Sequence, residues 1–196
     1  MSTSTIPQSL TPERIDALAE YLDSLDDTRR VRFVRSIGAR TQARLWEAAR
    51  KRPATLDDLV PPSSAPGVEV IHKGKNTLPV LSSFEKRFCR AAERDDLLYG
   101  YNEGPTREIV GPGYFVVPAA AAGIEIGVDY RKVPPPSARL PLAWPQVKTN
   151  EVGLQRLVFA GMVDHMRRIS HHVTIGRATR GGKTTNNYFL LCRLDG

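Results

Sequence analysis

The stretch that decides the fold runs from Asn150 to Ser170 and reads NEVGLQRLVFAGMVDHMRRIS. Placed on a helical repeat, Leu154, Leu157, Val158, Gly161, Met162, Met166 and Ile169 share one broad arc, and Arg156, Asp164, Arg167 and Arg168 lie opposite. This spacing predicts one long amphipathic helix over 150–170. Arg167, Arg168, His171 and His172 would sit at its C-terminal end, where positive charge complements the helix dipole. His165 falls inside the apolar arc, which predicts that it is buried.

Working outward, the C-terminal side reads HVTIGRATRGGKTT from His172 to Thr185. Gly182-Lys183-Thr184 imitates the end of a phosphate-binding loop. Arg177 stands where the first glycine belongs, and the residues after Thr185 are strand formers, so the helix that would hold a phosphate is missing. The pattern instead predicts a β-hairpin over 172–193 with Gly181-Gly182 as a type I′ turn. In that register Arg180 faces Lys183, Ile175 faces Tyr188 and Val173 faces Leu190. Arg177, Arg180 and Lys183 then form a basic finger standing clear of the core.

On the N-terminal side, residues 134–145 (PPPSARLPLAWP) contain five prolines and cannot form a helix or a central strand. They read as a stiff loop that could strap the domain or act as a lid carrying Trp144. Strands are predicted over 67–72, 97–101, 108–110, 114–117 and 124–130, with Ile124, Ile126, Val128 and Tyr130 on one face of the last. Ser82-Ser83-Phe84-Glu85 reads as a capping box opening a helix that presents Phe84 and Phe88 one turn apart.

The first sixty residues differ in character. Thr11-Pro12-Glu13 starts a helix, a second begins after Asp26 or Asp27, and a third runs from about Ala39 to Arg52. Residues 55–59 add a helical turn, and PPSSAP at 61–66 reads as a linker. The predicted organisation is therefore a helical arm or subdomain at 1–60, a linker at 61–66 and an α+β domain at 67–196. In that domain an antiparallel sheet packs against the long helix and is closed by the hairpin.

Composition bounds the function. The formal net charge is +7, and charge is segregated along the chain: 11–27 is acidic, whereas 28–52 holds nine Arg or Lys against Glu47. Cys89 and Cys192 have no ligand or disulfide-framework spacing, no stretch approaches the ~18 apolar residues of a membrane span, and the N-terminus lacks the features of a leader. These features predict an unprocessed cytoplasmic protein with neither metal nor cofactor.

Two functional readings follow. The first is a non-enzymatic binding module for an anionic partner, an acidic protein surface or a nucleic-acid backbone. It would use Arg177, Arg180 and Lys183 of the hairpin, and Arg40 and Arg44 of the basic helices, where Gly38 could separate the two helices of a helix-turn-helix reader. The second is a small-ligand binder or enzyme with a cleft between sheet and helix, using His165 with Glu103 or Asp129. Glu125 and Asp129, four residues apart on one strand, stand ~13 Å apart and cannot act together on one bond.

Overall fold

The computed structural model describes residues 11–78 and 82–195; the N-terminal residues 1–10, on which the absence of a leader is read, lie outside this range. Three helices come first: α1 (Pro12–Asp23), α2 (Asp27–Ser36) and α3 (Ala39–Ala48), followed by the single turn α4 (Leu56–Leu59). Thr11 caps α1 by accepting from the Arg14 amide, and Asp26 caps α2 by accepting from that of Arg29 at 2.8 Å.

The remainder is a closed antiparallel barrel of eight strands in chain order, each bonded to the next and the last to the first. The strands are β1 (Val70–Asn76), β2 (Ser83–Arg90), β3 (Leu97–Glu103), β4 (Phe115–Pro118), β5 (Gly127–Asp129), β6 (Met162–Arg168), β7 (Val173–Arg180) and β8 (Lys183–Arg193). Two short helices, α5 (Arg107–Val110) and α6 (Gln155–Phe159), lie between strands.

This overturns the α+β prediction of a sheet packed on one long helix. The segment 150–170 is not one helix: α6 ends at Phe159, Gly161 takes a φ of +67°, and β6 begins at Met162. A positive φ is cheap only for glycine, so Gly161 turns the chain from helix to strand. β6 then pairs with β5 and β7, and without it the barrel has no seam to close. Two shorter predictions fail with it. Residues 82–85 open strand β2 rather than a helix, and 108–110 belong to α5 rather than to a strand.

The hairpin forms with Gly181 and Gly182 at φ +55° and +76°, and Arg180 faces Lys183. Below the turn its register is displaced by a bulge between Arg177 and Thr179. Ile175 therefore pairs with Leu190, and Val173 with Cys192.

The outer wall is covered on two sides. Ile15, Leu22, Val34, Leu45 and Trp46 of α1–α3 pack on Val173, Ile175, Leu190 and Cys192 of β7 and β8. Elsewhere the Pro-rich segment lays Trp144 against Tyr101 and Tyr114, while the Trp144 indole donates to Glu69 at 2.6 Å. β4 and β5 share one ladder pair, Val116 with Asp129. Beside it the Asn150 amide donates to the carbonyls of Tyr114 and Tyr130, both at 2.7 Å, and so bridges the thinnest part of the wall.

One end of the barrel is plugged. Ala54, Leu56, Leu59 and Val60 join Phe88, Leu98, Val117, Met166 and Leu191 in the core. Arg193 donates to the carbonyls of Asp57 and Asp58, and Arg90 to those of Val60 and Pro61. Buried His72 donates from Nε2 to the Leu59 carbonyl at 2.7 Å.

Candidate functional site: a one-ended barrel cavity

The opposite end of the barrel is open. A cavity of about 530 Å³ descends from the loops around α5 and α6 into the barrel, within the range typical of small-molecule sites. Its walls are largely apolar, with Phe84, Phe159, Met162, Ala178 and Phe189, and Leu157 and Val158 stand partly exposed toward the entrance. Phe159 stacks nearly parallel on Tyr130 at 5.3 Å between ring centroids. Arg180 anchors α6 by donating to the Leu157 carbonyl at 3.0 Å and to that of Val158.

At the floor lies a charged cluster. Lys86 and Asp164, on opposite sides of the barrel, are both buried, with Nζ 3.1 Å from Oδ2. Lys86 also donates to Asn102 Oδ1 at 3.0 Å and to the Tyr130 hydroxyl, so all three of its protons have acceptors. Asn102 is fixed in turn by donating to the Gly113 carbonyl at 3.0 Å.

Four rings surround the ammonium: Tyr130, Phe189, Phe115 and Phe84, with centroids 4.9, 5.0, 5.1 and 5.8 Å from Nζ. Three of them owe their places to glycines directly across the ladders. Phe84 pairs with Gly74, Phe115 with Gly100 and Phe189 with Gly176. A Cβ on any of these glycines would come within 2.1–2.6 Å of the facing ring, so the absent side chains give the rings their room. Aromatic rings laid over cross-strand glycines also restore the packing that a glycine removes from a sheet.

Burial dominates the electrostatics. Desolvation pushes the Lys86 pKa down, and the Asp164 charge and hydrogen bond oppose it without cancelling it. The Tyr130 phenol is driven far above its ordinary value by burial and by the adjacent Asp164.

Of the residues singled out from sequence, Glu103 and Arg180 line this cavity. Glu103 accepts from Arg107 Nε at 2.9 Å and from the Gly104 amide at 2.9 Å. His165 does not reach it. The side chain is 41% exposed on the outer face of β6, 4.0 Å from Glu125, because strand alternation sends Asp164 inward and its neighbour outward. Asp129 also faces outward. Burial would raise its carboxyl, but the Arg131 side chain at 2.8 and 2.9 Å and the Arg131 amide hold it below the ordinary value. The cleft predicted between sheet and helix is therefore replaced by a cavity inside the barrel.

The basic residues are dispersed. Arg177 donates to the Thr185 carbonyl at 2.8 Å and lies over the Tyr188 ring, and Arg180 is committed to α6. Lys183 is exposed at the turn, and Arg40 and Arg44 are exposed on α3. Trp144 lies on the outer wall. Among the described residues no three His, Cys, Asp or Glu side chains are grouped to hold a metal ion, and no helix is long and apolar enough to cross a membrane.

Sequence reasoning missed Lys86, Asp164, Tyr130 and Asn102 as a group. The usable signal was alternation. Phe84, Lys86 and Phe88 share one face of a strand, as do Met162, Asp164 and Met166, but each set contains a charge that breaks the apolar pattern.

Comparison with protein-family models, with curated proteins and with solved structures finds no match to this chain.

Proposed function

We propose that this protein binds a small, largely apolar molecule inside the barrel, with the polar end of that molecule against Lys86, Asp164, Tyr130 and Asn102. The observation that carries this reading is the one-ended cavity itself, aromatic in its walls and charged at its floor. A convergent polar group at the base of an apolar cavity fixes orientation, while the walls supply affinity. Partly exposed Leu157 and Val158 at the entrance favour an apolar guest.

The test is a titration with 1-anilinonaphthalene-8-sulfonate, whose emission rises in an apolar site. Ala178→Phe and Met162→Trp place bulk in the cavity and should each abolish the rise while leaving the near-UV circular dichroism native. Undiminished dye binding in both variants would place the dye elsewhere and refute the reading.

An anionic macromolecular partner at the hairpin has weaker support, because Arg177 and Arg180 are already hydrogen-bonded to the chain's own carbonyls. That reading requires retention on a polyanion that falls steeply with salt and with Lys183→Ala, Arg40→Ala and Arg44→Ala.

A further inference from the structure

We propose that Lys86 captures the carbonyl group of an aldehyde entering the barrel and holds it as a protonated imine. The inference rests on the cavity reading above and names the chemical class of the guest. Of the seven lysines in the chain, Lys86 alone is buried, and it lies in the cavity lining. Its amine is surrounded by groups suited to the proton transfers that imine formation needs: the Asp164 carboxylate at 3.1 Å, the Tyr130 hydroxyl and Asn102 Oδ1 at 3.0 Å.

The step balances without a further reactant. The ammonium gives one proton to Asp164, which frees the lone pair of Nζ. That pair forms the N–C bond as the carbonyl π electrons move to oxygen, and the oxygen takes the proton held by Asp164. Asp164 then carries one of the two remaining nitrogen protons to this hydroxyl, which leaves as water with the C–O electron pair, while the nitrogen lone pair forms C=N with one proton on nitrogen and Asp164 is again a carboxylate. Overall, ammonium and aldehyde become protonated imine and water, and nothing is oxidised or reduced.

The product keeps the positive charge of the reactant. The same four rings and the same Asp164 that surround the ammonium therefore surround the iminium. Nitrogen now carries one proton instead of three, so the Asp164 contact can persist while Asn102 and Tyr130 are released to face the guest. Burial, which lowers the Lys86 pKa, eases the first proton loss. A buried ion pair contributes little net stability compared with apolar packing, so its position at a cavity floor is better explained by use than by support.

The probe is cinnamaldehyde, whose protonated imine absorbs at longer wavelength than the free aldehyde. The full-length protein is incubated with it at neutral pH and its absorption spectrum recorded; sodium cyanoborohydride is then added, and the protein is digested and mapped by mass spectrometry. The expected result is a red-shifted band before reduction, and at least about tenfold more secondary amine on Lys86 than on any other lysine. Labelling confined to the exposed lysines, or spread evenly over all seven, overturns the proposal. The wild-type map needs no variant to fold; Lys86→Arg, which keeps the charge, should lose the band.

Cinnamyl alcohol, which has the same shape but no carbonyl, separates the two readings. If the alcohol displaces the naphthalene sulfonate dye while the aldehyde leaves Lys86 unlabelled, imine formation fails and the cavity reading stands. If neither dye nor alcohol binds and Lys86 is unlabelled, both fall.

Discussion

Gly176 on β7 stands directly across the ladder from Phe189 on β8, and a Cβ on Gly176 would lie 2.1 Å from the Phe189 ring. The ring occupies the space above the glycine and from there faces the Lys86 ammonium at 5.0 Å. Gly176→Ala should therefore lower stability by about 1–3 kcal/mol through overpacking. Urea denaturation measures the loss. Gly176→Ala combined with Phe189→Leu should recover part of it, whereas an unaltered midpoint in the single variant would remove this account of the glycine.

The Lys86–Asp164 pair makes a second, opposite-signed pair of expectations. Lys86→Met leaves a carboxylate buried without its cation and should cost roughly 3–5 kcal/mol. Lys86→Met with Asp164→Leu removes both charges and should regain most of that loss. A double variant no more stable than the single one would show that the two residues are not coupled.

His72 sets an acid limit. Burial, with smaller repulsion from Arg193 and Lys86, pushes its pKa from the ordinary 6.5 down to about 3, although the Leu59 carbonyl pulls the other way. The folded protein holds it neutral, while the unfolded chain takes up a proton below pH 6.5. Stability therefore falls as pH drops from 6.5 toward 3, by about 1.4 kcal/mol per unit from this one group over most of that window, and flattens below it. His72→Gln should flatten the slope in urea midpoints measured between pH 6.5 and 4.

Asn150 carries the fourth expectation. Its amide holds the carbonyls of Tyr114 and Tyr130 where β4 and β5 share one pair. Asn150→Ala leaves two buried carbonyls short of a donor and should cost about 1–3 kcal/mol. Amide hydrogen exchange should speed most around residues 114–117 and 127–130. Exchange that rises only elsewhere would mean that the bridge does not secure this part of the wall.

The parts of the fold visible in the sequence are those governed by local chemistry. Asp26 before α2, the turn at 56–59 and the Gly181-Gly182 reversal each depend on one cap or on glycine's access to positive φ. The strands predicted at 97–101 and 114–117, observed as Leu97–Glu103 and Phe115–Pro118, stand out because aromatic and apolar residues are bounded by turn residues. The candidate site was far less visible. Glu103 lies in the cavity lining, but His165 and Asp129 point away from the interior, and Lys86 was hidden by reading Phe84 and Phe88 as one turn of helix.

The sequence by itself determined much of the local punctuation of this protein: where α1 and α2 are capped, where the hairpin turns and where prolines forbid regular structure. Only the tertiary structure decided that 162–168 is a strand and that Lys86 and Asp164 meet. The apolar residues of 150–170 fit a helical stripe, and an isolated segment has no reason to prefer the strand. Barrel closure supplies that reason, because the ladders of β5 and β7 both require a partner between them. It also brings together two charges 78 positions apart, each of which makes the other tolerable inside an aromatic wall.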